Sequence, residues 1–125
     1  MLQIRECNKV FTMFLVESIQ HRFKFDVYMD TEKGYVFYNT VVGYINGFGC
    51  AENEVIAMLP KREEYFINIL SKEGVLIKTD KYNEGKFEKQ PIYSIDFEKA
   101  KNIGLNLISE QTAIEWKIER QNDRR

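Results

Sequence analysis

Histidine and tryptophan each occur once in this 125-residue chain, cysteine and proline twice each, and neither sign of charge dominates. Each shortage removes a class of chemistry. A zinc site needs three or four Cys or His ligands at ligand spacing, and His21, Cys7 and Cys50 do not supply them. A disulfide-stapled secreted scaffold needs a dense cysteine set. Two cysteines, 43 residues apart and outside any CxxC pair, read instead as buried or half-buried free thiols. His21 has no nucleophile elbow to serve, because none surrounds a serine or cysteine, and it reads as a surface or boundary residue. The carboxylates Glu63/Glu64 and Asp26/Asp30 stand in charge-mixed stretches and read as solvated groups, not as an acid–base pair. Gly43, Gly47 and Gly49 lack the Lys-Ser/Thr of a phosphate loop. No catalytic residue, metal or cofactor is expected, and the chain reads as a non-enzyme.

Long apolar runs are also missing. The stretch Val10 to Val16 contains Thr12 and is far short of a membrane span. Arg5 and Glu6 precede any apolar run and no small-residue cleavage site comes after, so a signal peptide is not expected and a cytoplasmic location is the default. No linker or repeat divides the chain, so residues 1–125 read as a single domain. What is present is material for a core. Hydrophobic residues make up 44% of the chain and aromatics 14%, enough for folding to bury roughly two-thirds of the open chain's surface. The net charge is −1, whereas nucleic-acid binders usually carry a basic surplus.

Residues 9–20 are apolar and admit strand or helix, with β-branched and aromatic content favouring strand. Residues 22–29 alternate as a half-buried strand, and Asp30 to Gly34 read as a turn or helix start. Over 33–46, Tyr35, Tyr38, Val41 or Val42, and Ile45 recur at helical spacing. A hairpin with 22–29 is the alternative, and helix is preferred because helical patterns succeed it along the chain. Gly47-Phe48-Gly49 breaks the element. Residues 52–59 read as a short helix with Val55, Met58 and Leu59 inward, and Pro60 opens another over 61–72 with Phe66, Ile69 and Leu70 on one stripe. Gly74 ends it as a left-handed cap. Residues 75–97 read as a β-hairpin turning at Tyr82 to Gly85. Residues 103–108 begin a strand or a helix, and Ser109 caps a last helix over approximately 109–122 that carries Ala113 and Trp116.

Helix, short helix, helix ended by glycine, then hairpin is the order of a winged helix. The run from Val41 to Leu59, with Asn53-Glu54-Val55-Ile56-Ala57-Met58-Leu59 at its end, resembles the first and second helices of winged helix-turn-helix domains in phage and plasmid replication initiators and related regulators. Leu70-Ser71-Lys72-Glu73-Gly74-Val75-Leu76-Ile77 looks like a recognition helix entering the wing. The resemblance covers about residues 35–97. It departs from the family where Pro60-Lys61-Arg62 replaces a longer Gly-x-Ser/Thr turn, which makes the base-reading residues its least transferable part.

The implied fold class is α+β, a winged helix-turn-helix core over approximately 33–97 with an added N-terminal strand region and a C-terminal helix. The resemblance implies a transcriptional or replication regulator that binds double-stranded DNA. Lys61, Arg62, Asn68 and Lys72 would lie on the recognition helix, and Lys78, Lys81, Lys86 and Lys89 on the wing. The cations would meet phosphates and Asn68 a base edge. A homodimer through the last helix, including Trp116, is the expected assembly. Glu63, Glu64, Glu73, Asp80, Glu84 and Glu88 interleave with those cations. The balanced charge and abundant aromatics therefore also fit a small phage- or plasmid-encoded module that docks on a host protein instead of DNA.

Overall fold

A computed structural model describes residues 2–18, 20–44, 51–84 and 89–123, with side chains described as far as Trp116 in the last helix. Strands β1 (Gln3–Glu6) and β2 (Lys9–Glu17) form a hairpin whose two-residue turn puts Cys7 at φ 51° and Asn8 at φ 64°. Two left-handed residues in a row suit the right-handed twist of the flanking strands. The turn leaves Cys7 a free thiol at the surface, not the buried or half-buried group expected. Cys50 lies outside the described residues.

β3 (Phe23–Thr31), the strand that the alternation over 22–29 predicts, pairs with β2, and β4 (Gly34–Val42) pairs with β3. The Thr31 hydroxyl donates to the Gly34 carbonyl at 2.7 Å and closes that turn, while Gly34 takes φ 108°. The helix preferred for 33–46 is thus a strand through Val42, with Ile45 and Asn46 outside the described residues. The physical cause is two bulges. Phe25 faces Val42 while Asp26 faces Thr40, and Val27 faces Asn39 while Tyr28 faces Phe37, so Val41 and Tyr38 are extra residues on β4. Each insertion reverses the alternation of faces. Apolar residues then recur about every three positions and imitate a helix.

β5 (Glu54–Ile56) occupies the segment expected as the second helix. Val55, Ile56 and Ala57 are consecutive and all fully buried, a pattern of a strand enclosed on both faces and not of a one-sided helical stripe. Turns come next, and α1 (Glu64–Lys72) begins at Glu64 instead of at Pro60. Phe66, Ile67 and Leu70 are its buried residues. Gly74 at φ 77° ends it, donating to the Ser71 carbonyl while Val75 donates to Leu70, as the sequence predicts. β6 (Leu76–Glu84) and β7 (Lys89–Ile95) form the predicted hairpin, but β6 runs through the expected turn as far as Glu84.

Asp96 then caps a helix that the sequence patterns do not suggest, α2 (Phe97–Asn102), its Oδ1 accepting from the Lys99 amide at 3.1 Å. β8 (Asn106–Ser109) leads straight into α3 (Glu110–Asp123), where the Ser109 hydroxyl accepts from the Thr112 amide at 3.1 Å as the predicted cap.

Among the described residues the strands form two sheets. In the first, β3 lies between β2 and β4, and the other edge of β2 is shared. β1 runs antiparallel to Lys9–Thr12, and β8 runs parallel to Phe14–Glu17. The second sheet has the order β5-β7-β6. Gly43 and Ile56 join the sheets by two backbone bonds of 3.0 and 2.7 Å.

This arrangement overturns the winged helix-turn-helix. Strands replace its first and second helices, and the would-be wing is two-thirds of a three-stranded sheet. The main apolar cluster lies between the sheets and under α1 and α2, with Phe11, Met13, Leu15, Phe25, Val27, Leu70, Val75 and Ala100 among its members. A second cluster lies on the opposite face of the first sheet, where α3 covers Phe14, Val16 and Tyr28 with Ala113 and Trp116.

Candidate interaction surface

The described cations expected to form one DNA face line two grooves or lie along α1 and its lead-in. Lys61 and Asn68 line an open groove of about 420 Å³ beside Glu64 and Tyr93. Arg62 turns toward β4, where its Nη2 donates to Asn39 Oδ1 at 3.0 Å, and its Nε lies 3.5 Å from the carboxylate of Glu63. Lys72 is exposed in the last turn of α1. Lys78, Lys81 and Lys89 line a separate groove of about 340 Å³ with Asp80 and Tyr82. Two of these three already have local partners. Lys81 donates to Glu54 at 2.7 Å, and Lys89 sits 4.5 Å from the centre of the Tyr82 ring. Lys86 lies outside the described residues. The structure thus brings Lys61 together with Asn68, and Lys78 with Lys81 and Lys89, and Tyr93 of the first groove is the cross-strand partner of Lys78 in the second.

Glu54 illustrates how its segment was misread. At a helix start it would serve the helix dipole. In β5 it is buried, takes the Ala51 amide at 2.8 Å and holds Lys81. The Lys81 hydrogen bond, then the Ala51 amide, lower its pKa below the ordinary 4.5. Glu63 is buried as well, and burial pushes its carboxyl up against the opposing charge of Arg62.

A more coherent surface lies where β4 meets α1. Tyr38, the second bulge residue, stays 49% exposed, and Tyr65 stays 44% exposed. Both pack edge-on against the buried Phe66, with ring centres 6.2 and 5.3 Å away, and Tyr38 also rests on Phe11 at 5.0 Å. The bulge and the helix thus hold two half-exposed rings on one buried ring. The Arg62–Asn39 bond ties the lead-in of α1 to the residue after Tyr38. Leu59 and Met58, just before that lead-in, are exposed by 46% and 43%. Sequence reasoning missed this surface because Phe66 was visible as core, whereas the exposure of Tyr38 depends on the bulge.

The other face of the first sheet carries polar groups that the sequence did not foreshadow. Asp26, read as a solvated strand residue, is fully buried. Its Oδ1 accepts the Thr40 hydroxyl at 2.7 Å, and Lys24 Nζ lies 3.4 Å from Oδ2. That ammonium is within ion-pair range but makes no hydrogen bond, so Oδ2 has no hydrogen-bond partner among the described residues, and neither has the Tyr28 hydroxyl. Burial, then the charge of Asp26, push the Tyr28 hydroxyl well above its usual range. A buried polar group left unpaired costs about 1–3 kcal/mol.

Among the described residues no group of three or more His, Cys, Asp and Glu is placed to hold a metal ion, and no helix is long and apolar enough to cross a membrane. No known protein family, no curated protein and no solved structure shows significant similarity to the chain.

Proposed function

We propose that this protein is a protein-binding module whose contact surface centres on Tyr38, Arg62 and Tyr65. The carrying observation is the pair of half-exposed tyrosines seated on the single buried ring of Phe66. Tyrosine and arginine are the residue types that anchor protein interfaces, because they offer large contact area with a polar tip. Here both are already held, Tyr38 by Phe11 and Phe66 and Arg62 by Asn39, so binding costs little side-chain ordering. The net charge of −1 points the same way.

The test is a photo-crosslinking residue placed at Tyr65 in cells that make the protein, with a Tyr38→Ala/Arg62→Ala variant as control. One crosslinked protein of defined mass, weakened about 30-fold in affinity by the double substitution, is the expected result. Random duplex DNA is titrated in parallel by fluorescence anisotropy. Binding that falls steeply between about 50 and 200 mM salt, with no protein crosslink, would reverse the assignment in favour of phosphate recognition.

A further inference from the structure

The outward side of α1 carries a row of polar residues at one spacing. At about 3.6 residues per turn Glu64, Asn68 and Lys72 lie one above another along the helix, and all three are exposed. Phe66, Ile67 and Leu70 take the opposite side and are buried. Half-exposed Tyr65 flanks the row, with half-buried Ile69 one turn further on. Lys61 and Arg62 precede the helix and Glu73 ends it, and these three are exposed as well. Both signs of charge are therefore present, and they are ordered. Lys61, Arg62 and Glu64 stand at one end of the face, Lys72 and Glu73 at the other. The helix dipole accounts for an acid in the first turn and a base in the last. It does not account for the cations ahead of that acid, the acid after that base, or the tyrosine and carboxamide between them.

Resting on the protein-binding reading of the Tyr38–Arg62–Tyr65 surface, we propose that its partner is a second copy of this chain, joined by antiparallel packing of α1 on α1 about a twofold axis at Asn68. The charge order selects that occupant. Turned end for end about Asn68, the face sets Glu64 beside Lys72 of the second copy, and Arg62, already oriented by Asn39, beside Glu73 of the second copy. Each pair occurs twice, because a twofold interface is self-complementary. Asn68 meets its own copy, and a carboxamide, which carries both donor and acceptor, bonds to another. Tyr65 falls between Ile69 and Lys72 of the second copy, which covers its half-exposed ring. An acidic partner or a nucleic acid would meet Glu64 and Glu73, and a basic partner would meet Lys61, Arg62 and Lys72. The same face reversed answers both signs at once. Ion pairs at an exposed rim fix register and orientation more than strength, so the association is a weak one.

Sedimentation velocity of the full chain, over about a hundredfold range of concentration at low salt, tests the twofold. The parent is expected to shift from monomer to dimer as its concentration rises. Glu64→Lys and Lys72→Glu each bring like charges together twice, so each alone should weaken the dimer about tenfold or more. Mixed in equal amounts, the two variants should regain the parent's association, because each then supplies the sign that the other needs. Both positions are exposed, and the circular dichroism of each variant should match that of the parent. A parent that stays monomeric, single variants that dimerise as the parent does, or a mixture no stronger than either variant would each overturn the second copy as occupant. The photo-crosslinker at Tyr65 separates this outcome from the broader reading. A monomeric parent that crosslinks to a different protein overturns the second copy and leaves the protein-binding surface standing. A monomeric parent with no crosslink sinks both.

Discussion

The two faces of the β1–β4 sheet come from alternate residues of the same strands, yet they are made of different material. Phe11, Met13, Leu15, Phe25 and Val27 point to the side closed by α1, α2 and the second sheet, where the larger cluster of buried apolar residues lies. Thr12, Phe14, Val16, Asp26 and Tyr28 make up the other side, closed by α3, with a carboxylate, a threonine and a phenol among the apolar groups. The first face is gripped from several elements at once. Among the described residues the second is closed by Ala113 and Trp116 of α3 with Ile108 of β8. Burial alone does not distinguish them, since Phe25 and Tyr28 are equally inaccessible. The difference lies in how many partners each buried group has and whether its polar atoms are met.

Truncation on the two faces measures that difference. Phe25→Ala removes a ring at the centre of the apolar cluster and is expected to cost about 4 kcal/mol, with the whole cooperative unfolding transition moving to lower denaturant. Trp116→Ala removes a larger side chain from a partly covered position, and about 2 kcal/mol is expected, less than the usual cost of a deep aromatic truncation. Urea unfolding followed by far-ultraviolet circular dichroism compares them. A loss for Trp116→Ala equal to that for Phe25→Ala would mean that α3 belongs to the same rigid unit as α1, and the contrast between the faces would disappear.

Thr40→Val probes the polar side by itself. The Thr40 hydroxyl is the one hydrogen-bond donor to Asp26 Oδ1 among the described side chains, and losing it leaves a buried carboxylate with only the Lys24 ammonium nearby. Hydrogen bonds to charged groups contribute about 1.5–3 kcal/mol, so a loss of about 2 kcal/mol is expected despite the nearly unchanged volume. Equal stability of Thr40→Val and the parent in the same urea titration would show that Asp26 is hydrated, and the α3 face would be wetter than the geometry indicates.

Legibility in the sequence tracked the regularity of the strands. The alternation of Phe23, Phe25 and Val27, the 75–97 hairpin, the Gly74 stop and the Ser109 cap all rest on local chemistry, and the structure has each of them. β4 failed because its two bulges changed the period of the apolar residues. β5 failed because a strand enclosed on both faces has no alternation to read, and the familiar look of Asn53 to Leu59 filled the gap. Those two errors together manufactured a winged helix. The interaction surface was hidden for a related reason. Tyr38 and Tyr65 are 27 positions apart, and only the bulge at Tyr38 and the α1 crossing bring both onto Phe66. Asp26 was equally invisible, because nothing along 22–29 announces that the polar side of that strand will be buried.

Titration carries the comparison from buried side chains to ion pairs. The Glu54 pKa lies below 4.5 because of Lys81 and the Ala51 amide. A depressed carboxyl stabilises the fold above its unfolded value and loses that contribution as the pH falls through the folded value. Lys81→Met should therefore cost at most about 1 kcal/mol at pH 7, since Lys81 is 57% exposed. The loss should vanish in strong acid, where the parent has protonated Glu54 as well. Stability curves for both proteins, taken by urea titration from pH 7 downward, would refute the pairing by staying parallel.

The smallest effect belongs to the exposed pair at the end of β2. Glu17 accepts from His21 at 3.0 Å, and that bond, together with the carboxylate's charge, raises the imidazole above 6.5. The sign is opposite to that of Glu54. The contribution is complete below pH 6.5 and fades as the pH rises through the folded value. His21 also sits at φ 56°, so the turn itself, closed by the Ser18 carbonyl and hydroxyl, and not the ion pair, holds it in place. Glu17→Gln should accordingly bring the His21 proton titration, read by NMR, back toward 6.5 while leaving the melting temperature nearly unchanged at every pH. A melting temperature that fell with Glu17→Gln below pH 6 would instead make this exposed pair a structural bond and move it into the same class as Glu54 and Lys81.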